Sequence, residues 1–199
     1  MSATAAFLIR ALTGASVRWL GAEPVARQRI YFANHTSTLD AAVLWAALPE
    51  GIRERTRPVA AKDYWSAGRV RPWLADHVFR ALLIERRKVT AENNPLRAML
   101  AVLDAGESLI LFPEGGRFPG PEPQPFKGGL YHLAKDRPET ELVPIYLENL
   151  NRILPKGEFV FVPLLGSITV GGPMRLEPGE TKADFLARAR EAVWSLRLT

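Results

Sequence analysis

The chain contains no cysteine. A structural disulfide, a thiolate nucleophile and a Cys-ligated metal are therefore excluded. Long apolar runs are missing as well. No stretch reaches the roughly 18 uninterrupted apolar residues of a membrane-spanning helix. Residues 3–20 come closest, but Arg10 and Arg18 interrupt them. That stretch has no charged segment ahead of its apolar part, so it does not read as a secretory signal. Histidine is scarce, and His77 and His132 belong to no ligand-spaced motif, so no metal site is expected. There is no internal repeat, no low-complexity tract and no linker long enough to divide domains. These absences predict one domain over residues 1–199, cytoplasmic and either soluble or peripheral on the cytoplasmic face of a membrane.

What is present fits a folded domain. The 199 residues are 47% hydrophobic and 24% charged, ordinary values for a chain with a sizeable core. The net charge of +5 favours anionic partners: a membrane surface, nucleic acid or a phosphorylated substrate. The arginines are scattered and no nucleic-acid-binding motif occurs, so nucleic acid is not an expected partner.

Apolar spacing predicts an amphipathic helix over 3–20, with Leu8, Ala11, Leu12, Ala15 and Trp19 on one face and Gly21 and Pro24 ending it. Strands are expected at 28–33, 57–61, 79–85, 108–112 and 142–147, with 159–163 and 167–170 as a hairpin around Gly166. Helices are expected from Ser37 or Thr38 to Leu48, over 95–105 and 127–135, and as one broken or two short pieces in 63–77. A last amphipathic helix covers 181–197. Strands alternating with helices predict an α/β fold: a mixed, largely parallel central sheet flanked by helices, with an N-terminal amphipathic helix over 1–22.

Two segments carry chemistry. In Asn34-His35-Thr36-Ser37-Thr38-Leu39-Asp40, His and Asp stand five apart. On a regular helix this spacing separates them by about 140°. They meet only if His35 sits in the loop before the helix and Asp40 in its first turns. A carboxylate on one imidazole nitrogen then fixes the tautomer and leaves the other nitrogen to take a proton. The spacing alone is equally that of a polar residue near a helix cap. The second segment, Phe112-Pro113-Glu114-Gly115-Gly116-Arg117, directly follows the Ser108–Phe112 run. Its glycines allow close backbone approach, and Arg117 offers a planar fork for phosphate or carboxylate. Taken singly, it also reads as a surface loop.

Together the segments resemble the glycerolipid acyltransferases, the family of the lysophosphatidic acid acyltransferases. Asn34–Asp40 matches the family's NHx4D block, and Phe112–Arg117 matches its FPEGTR block. Leu83-Ile84-Glu85-Arg86, Phe126-Lys127-Gly128-Gly129 and Val143-Pro144-Ile145 fall where the family has an arginine after an apolar strand, a Phe-Lys-x-Gly segment and a late Val-Pro strand. The likeness covers about residues 28–173. Two departures stand out: Gly116 replaces the usual threonine, and the glycine ahead of the strand before Arg86 is absent.

The resemblance implies phospholipid biosynthesis. A fatty acyl group would pass from acyl-CoA or acyl-carrier protein to a hydroxyl of a lysophospholipid such as 1-acyl-glycerol-3-phosphate, with no further cofactor. His35 would act as general base, oriented by Asp40, with no acyl-enzyme. Arg86, Glu114, Gly115 and Arg117 would bind the acceptor. Backbone N–H groups near Asn34–Ser37 are candidates for the oxyanion. The Gly116 departure leaves open a different amphiphile, such as an aminolipid or glycolipid. A lipid-binding module without catalysis remains a competing class. A hydrolase lacks its Gly-x-Ser-x-Gly elbow. The 3–20 helix, with Phe7, Leu8, Leu12 and Trp19 beside two arginines, suits either a membrane surface or the protein's own core.

Overall fold

The computed structural model describes residues 2–86, 89–90, 92–118, 120, 122–148 and 166–198. The chain runs α1 (Ser2–Thr13), β1 (Ser16–Trp19), β2 (Arg29–Ala33), α2 (Asp40–Ala47), α3 (Glu50–Arg53), β3 (Thr56–Ala61), α4 (Lys62–Trp65) and α5 (Val70–Trp73). A π-helical turn, Leu74–Val78, follows. Next come β4 (Leu82–Ile84), α6 (Pro95–Asp104), β5 (Ser108–Leu111), α7 (Gly129–Asp136), β6 (Glu141–Glu148), β7 (Ser167–Val170) and α8 (Lys182–Ser195). The expected run 159–163 lies outside the described residues.

The strands form one seven-stranded sheet in the order β1-β7-β6-β2-β5-β3-β4. Only the β6–β7 pair is antiparallel among the described pairings. β2 sits at the centre, and all five of its residues are buried. Alternation along it feeds two cores. Tyr31 and Ala33 join Leu44, Trp45 and Ile110 on the face covered by α1 and α2. Ile30 and Phe32 join Leu103, Leu133 and Phe185 on the face covered by α6, α7 and α8. A sheet buried on both faces explains why its central strands read as continuous apolar runs. Asn94 caps α6 by accepting from Leu96 N at 2.9 Å, and Thr181 caps α8 by accepting from Asp184 N at 3.2 Å. Caps of this kind contribute about 1 kcal/mol each.

Two expectations are corrected. The N-terminal helix ends at Thr13, not near residue 20. Gly14 takes a left-handed φ of +57° and closes the helix, its N–H donating to Arg10 O at 2.9 Å. Ser16–Trp19 then pairs in parallel with β7. Within α1, Ala6 is buried and Ala5 and Ile9 pack partly against the core. Phe7, Leu8 and Leu12 stay 70%, 52% and 62% exposed. The strand expected at 79–85 is only Leu82–Ile84. Phe79 still belongs to the preceding helical turn, where its N–H donates to Leu74 O. Arg80 then has φ +50°. That conformation costs a residue with a Cβ about 1 kcal/mol. It is offset by bonds from the Arg80 guanidinium to Glu54 O and Glu107 Oε1, both 2.6 Å.

Candidate active site

β2 and β5 are parallel neighbours, with Phe32 opposite Leu111. The chain therefore leaves both strands at the same edge of the sheet, where ligands collect in open α/β folds. This brings the 34–40 and 112–117 segments together across 79 residues of sequence. Asn34 fixes the exit from β2. Its side-chain amide donates to Leu147 O at 2.9 Å and accepts from Leu147 N at 2.8 Å, extending the β2–β6 ladder by one step.

His35 lies in the loop and Asp40 opens α2, the only arrangement in which residues five apart can meet here. His35 Nδ1 is 2.9 Å from Asp40 Oδ2. The same oxygen accepts from Thr36 N at 2.7 Å and Ser37 N at 2.8 Å. Neither Ser37 nor Thr38 caps the helix as expected; the fully buried Asp40 carboxylate gathers the loop's N–H groups. A negative charge there also meets the positive end of the α2 dipole. The His35 ring stacks on Phe112, centroids 4.3 Å apart. With Nδ1 held by a carboxylate, the neutral imidazole carries its proton on Nδ1. Nε2 is then the basic nitrogen, and His35 lines a cavity.

Glu114 brackets the same histidine. Its Oε1 accepts from His35 N at 2.7 Å, and its Oε2 accepts from Gln124 N at 3.0 Å. Phe118 N donates to His35 O at 2.9 Å. Both polar groups of the His35 main chain are thus tied to the loop after β5. Burial pushes the Glu114 carboxyl above its usual range; the two peptide N–H groups and His35 pull the other way without cancelling it. Its side chain sits behind the histidine, outside the cavity lining. The N–H groups expected to serve an oxyanion are largely spoken for, since those of His35, Thr36 and Ser37 already donate to Glu114 and Asp40.

The cavity is about 370 Å³, within the range of small-molecule sites. Its lining includes the apolar residues Val59, Ala60, Ile84, Met99, Leu111 and Leu130. It also includes His35, Gly115, Gly116, Arg86, Arg117 and Lys127. Arg117 bonds to the Thr38 hydroxyl and lies over the Tyr64 ring, 5.6 Å from its centroid. Arg71 lies over the same ring at 4.4 Å. Arg86 is ion-paired with Asp63 at 3.1 Å. The ring of Phe118 comes within 3.4 Å of where a side chain on Gly116 would begin, so Phe118 packs over that glycine. Sequence reasoning overlooked Tyr64, Thr38 and Lys127 as cavity residues. Of these, Lys127 carried a signal through the Phe-Lys-x-Gly likeness and Thr38 through its place in the Asn34–Asp40 block, whereas Tyr64 carried none. Among the described residues no three potential metal ligands converge.

Comparison with known proteins shows the family of the chain. A family model described as "Acyltransferase" matches residues 16–148. The 1-acyl-sn-glycerol-3-phosphate acyltransferase of Limnanthes alba is 32% identical over 158 residues, 77% of this chain and 52% of that protein. The protein of the same name from Limnanthes douglasii is 32% identical over 156 residues, again with 52% of its length matched. The chain thus spans about half the length of the curated relatives it matches. In fold, it is similar to the solved 1-acyl-sn-glycerophosphate (LPA) acyltransferase PlsC of Thermotoga maritima, with a TM-score of 0.73 over 97% of this chain and 78% of that one, at 20% identity.

Proposed function

The chain belongs to the acyltransferase family, and on that premise we propose that it moves a fatty acyl group from a thioester donor to a hydroxyl of 1-acyl-glycerol-3-phosphate or a close lysophospholipid. The donor is acyl-CoA or acyl-carrier protein. The observation that carries the reading is the His35–Asp40 pair, with His35 lining a cavity whose walls combine apolar side chains with Arg86, Arg117 and Lys127.

In this reading His35 Nε2 removes the acceptor's hydroxyl proton as its oxygen attacks the thioester carbonyl. Asp40 holds the ring and stabilises the imidazolium that forms. Collapse of the tetrahedral intermediate expels the thiolate, which takes up a proton. Acyl transfer is direct, without an acyl-enzyme. The apolar wall of Val59, Ile84 and Met99 suits an acyl chain. Arg117, Arg86 and Gly115 flank the acceptor's head group, while Glu114 serves it indirectly by fixing His35. The hydroxyl absent at Gly116 has a counterpart in Thr38, whose hydroxyl is the group that meets Arg117. The test offers labelled acyl-CoA and acyl-carrier protein with a panel of lysolipids, products being identified by mass. Acylated lysophosphatidic acid is the expected main product. Free fatty acid alone, or an acylated aminolipid or glycolipid in its place, would contradict the reading.

The acceptor is an amphiphile, so the protein has to meet a lipid surface. Among the described residues no helix is long and apolar enough to cross a membrane. Phe7, Leu8 and Leu12 instead form an exposed apolar face on α1, with Arg10 in the same helix. We assign this face to the cytoplasmic lipid interface, with α1 lying in its plane. Deleting residues 1–22 would also remove the edge strand β1, so point changes are the cleaner test. A Phe7→Ser, Leu8→Ser, Leu12→Ser triple variant should lose flotation with anionic liposomes. Undiminished flotation would refute the assignment.

A further inference from the structure

The cavity holds three cations, and their charges are not equally available. Arg86 shares its charge with Asp63. Arg117 and Lys127 have no carboxylate partner among the described residues. Arg117 is held by a hydroxyl and an aromatic face, which orient a guanidinium without neutralising it. Lys127 is held by its main chain and its stem. Its N–H donates to Pro113 O at 2.8 Å. The preceding Phe126 is buried edge-on against Phe32, with centroids 6.2 Å apart.

Gly115 leaves room for the lysine. It has φ +70°, and a Cβ there would fall 2.5–2.8 Å from Nζ, Cε and Cδ of Lys127. The missing side chain is the space the lysine occupies. The loop thus presents Arg117 from its own backbone and seats Lys127 across its glycine, both facing the cavity of His35.

Two available cations suit a dianion. A phosphomonoester carries about −1.5 to −2 charges at neutral pH. One guanidinium leaves much of that uncompensated in a partly dry site. Arg supplies a planar fork, and Lys adds a compact point charge. In a glycerol phosphate the phosphorus is only a few bonds from the hydroxyl that His35 must reach. In an acyl-CoA the nearest phosphate is a whole pantetheine arm from the thioester. The seat next to the base therefore fits the acceptor's phosphate better than the donor's.

We propose that Lys127, seated by Gly115, completes with Arg117 a two-cation site for the acceptor's phosphomonoester and sets the preference for a dianionic head group. This deepens the acceptor reading above and rests on it. The experiment measures binding of 1-acylglycerol 3-phosphate and of the monoacylglycerol with the same chain, to the full chain, without acyl donor. Wild type, Lys127→Gln and Lys127→Arg are compared, and coenzyme A binding is measured in parallel. Wild type should prefer the phosphomonoester. Lys127→Gln should cut that preference about tenfold, and Lys127→Arg should keep most of it. A wild type without the preference, or a Lys127→Gln protein that retains it, would overturn the proposal. So would a loss confined to coenzyme A, which would assign the lysine to the donor. Because no turnover is needed, a protein that shows the Lys127-dependent preference yet transfers no acyl group would refute the proposed reaction and leave this site standing.

Discussion

The two ends of the central strands β2 and β5 treat carboxylates in opposite ways. Where β2, β5 and β6 begin, the carboxylates of Glu141 and Glu107 are matched to arginine. Glu141 accepts from Arg27 Nη1 at 2.8 Å and from the buried Arg29 Nε at 3.0 Å. Glu107, just before β5, pairs with Arg57 and Arg80. Burial alone would raise both carboxyls, but the arginines override it and hold them below the usual range. Where β2 and β5 end, Asp40 and Glu114 meet no arginine. They hold peptide N–H groups and an imidazole. Arg117, which follows β5, points instead to a hydroxyl and a ring. One end spends its charges on each other and gains a clamped structure. The other leaves Arg117 and Lys127 without a carboxylate partner among the described residues, as the proposed acceptor site requires.

That contrast can be broken from either side. The largest effect belongs to Asp40→Asn. It keeps the shape but no longer holds the proton on Nδ1 or offsets the imidazolium. Its kcat should fall about 10²–10⁴-fold with little change in acceptor KM. A variant within about twofold of wild type would remove Asp40 from the mechanism. Glu141→Gln should do the reverse. It strands the buried Arg29, so unfolding in denaturant should show a loss of about 3 kcal/mol, while kcat of the folded enzyme stays near wild type. A stability change near zero would mean that this end is not a clamp.

A subtler effect lies in the acid limb of the stability curve. A carboxyl whose folded pKa is lowered contributes stability that is full above its unfolded value and is lost as pH falls through the folded one. Glu107, Glu141 and Glu180 are all of this kind, Glu180 chiefly through its bond with Arg188. Stability should hold down to about pH 4 and decline below it. The decline should be shallower in Glu141→Gln, as read by thermal midpoints from pH 2 to pH 6, approximately. Glu114 runs against this trend. Its raised carboxyl contributes most below the ordinary carboxylate range, and that contribution is lost as pH rises through the raised value. An acid limb unchanged in Glu141→Gln would contradict the pairing.

The site's parts were legible from sequence because both blocks hang from strong strand signals. Arg29–Ala33 and Ser108–Leu111 are unambiguous runs, and their adjacency fixes the rest. Less was legible where tertiary pairing decides. Ser16–Trp19 continues a helical spacing, and only its partner β7, about 150 residues on, makes it a strand. Arg80 terminates a helical turn through bonds to Glu54 and Glu107, which no local pattern announces. The N–H groups of His35, Thr36 and Ser37 looked available until Asp40 and Glu114 were seen to take them. Lys127 looked like the start of a helix. Its place in the cavity depends on the empty side of Gly115.

The proposed reaction turns on His35 as the base that drives acyl transfer. It is tested by His35→Ala, purified and shown to be folded, assayed with labelled thioester donor and 1-acyl-glycerol-3-phosphate. Wild type should form the diacyl product, and the variant should lose about 10³-fold or more of that rate. Product formation by His35→Ala at the wild-type rate would contradict it.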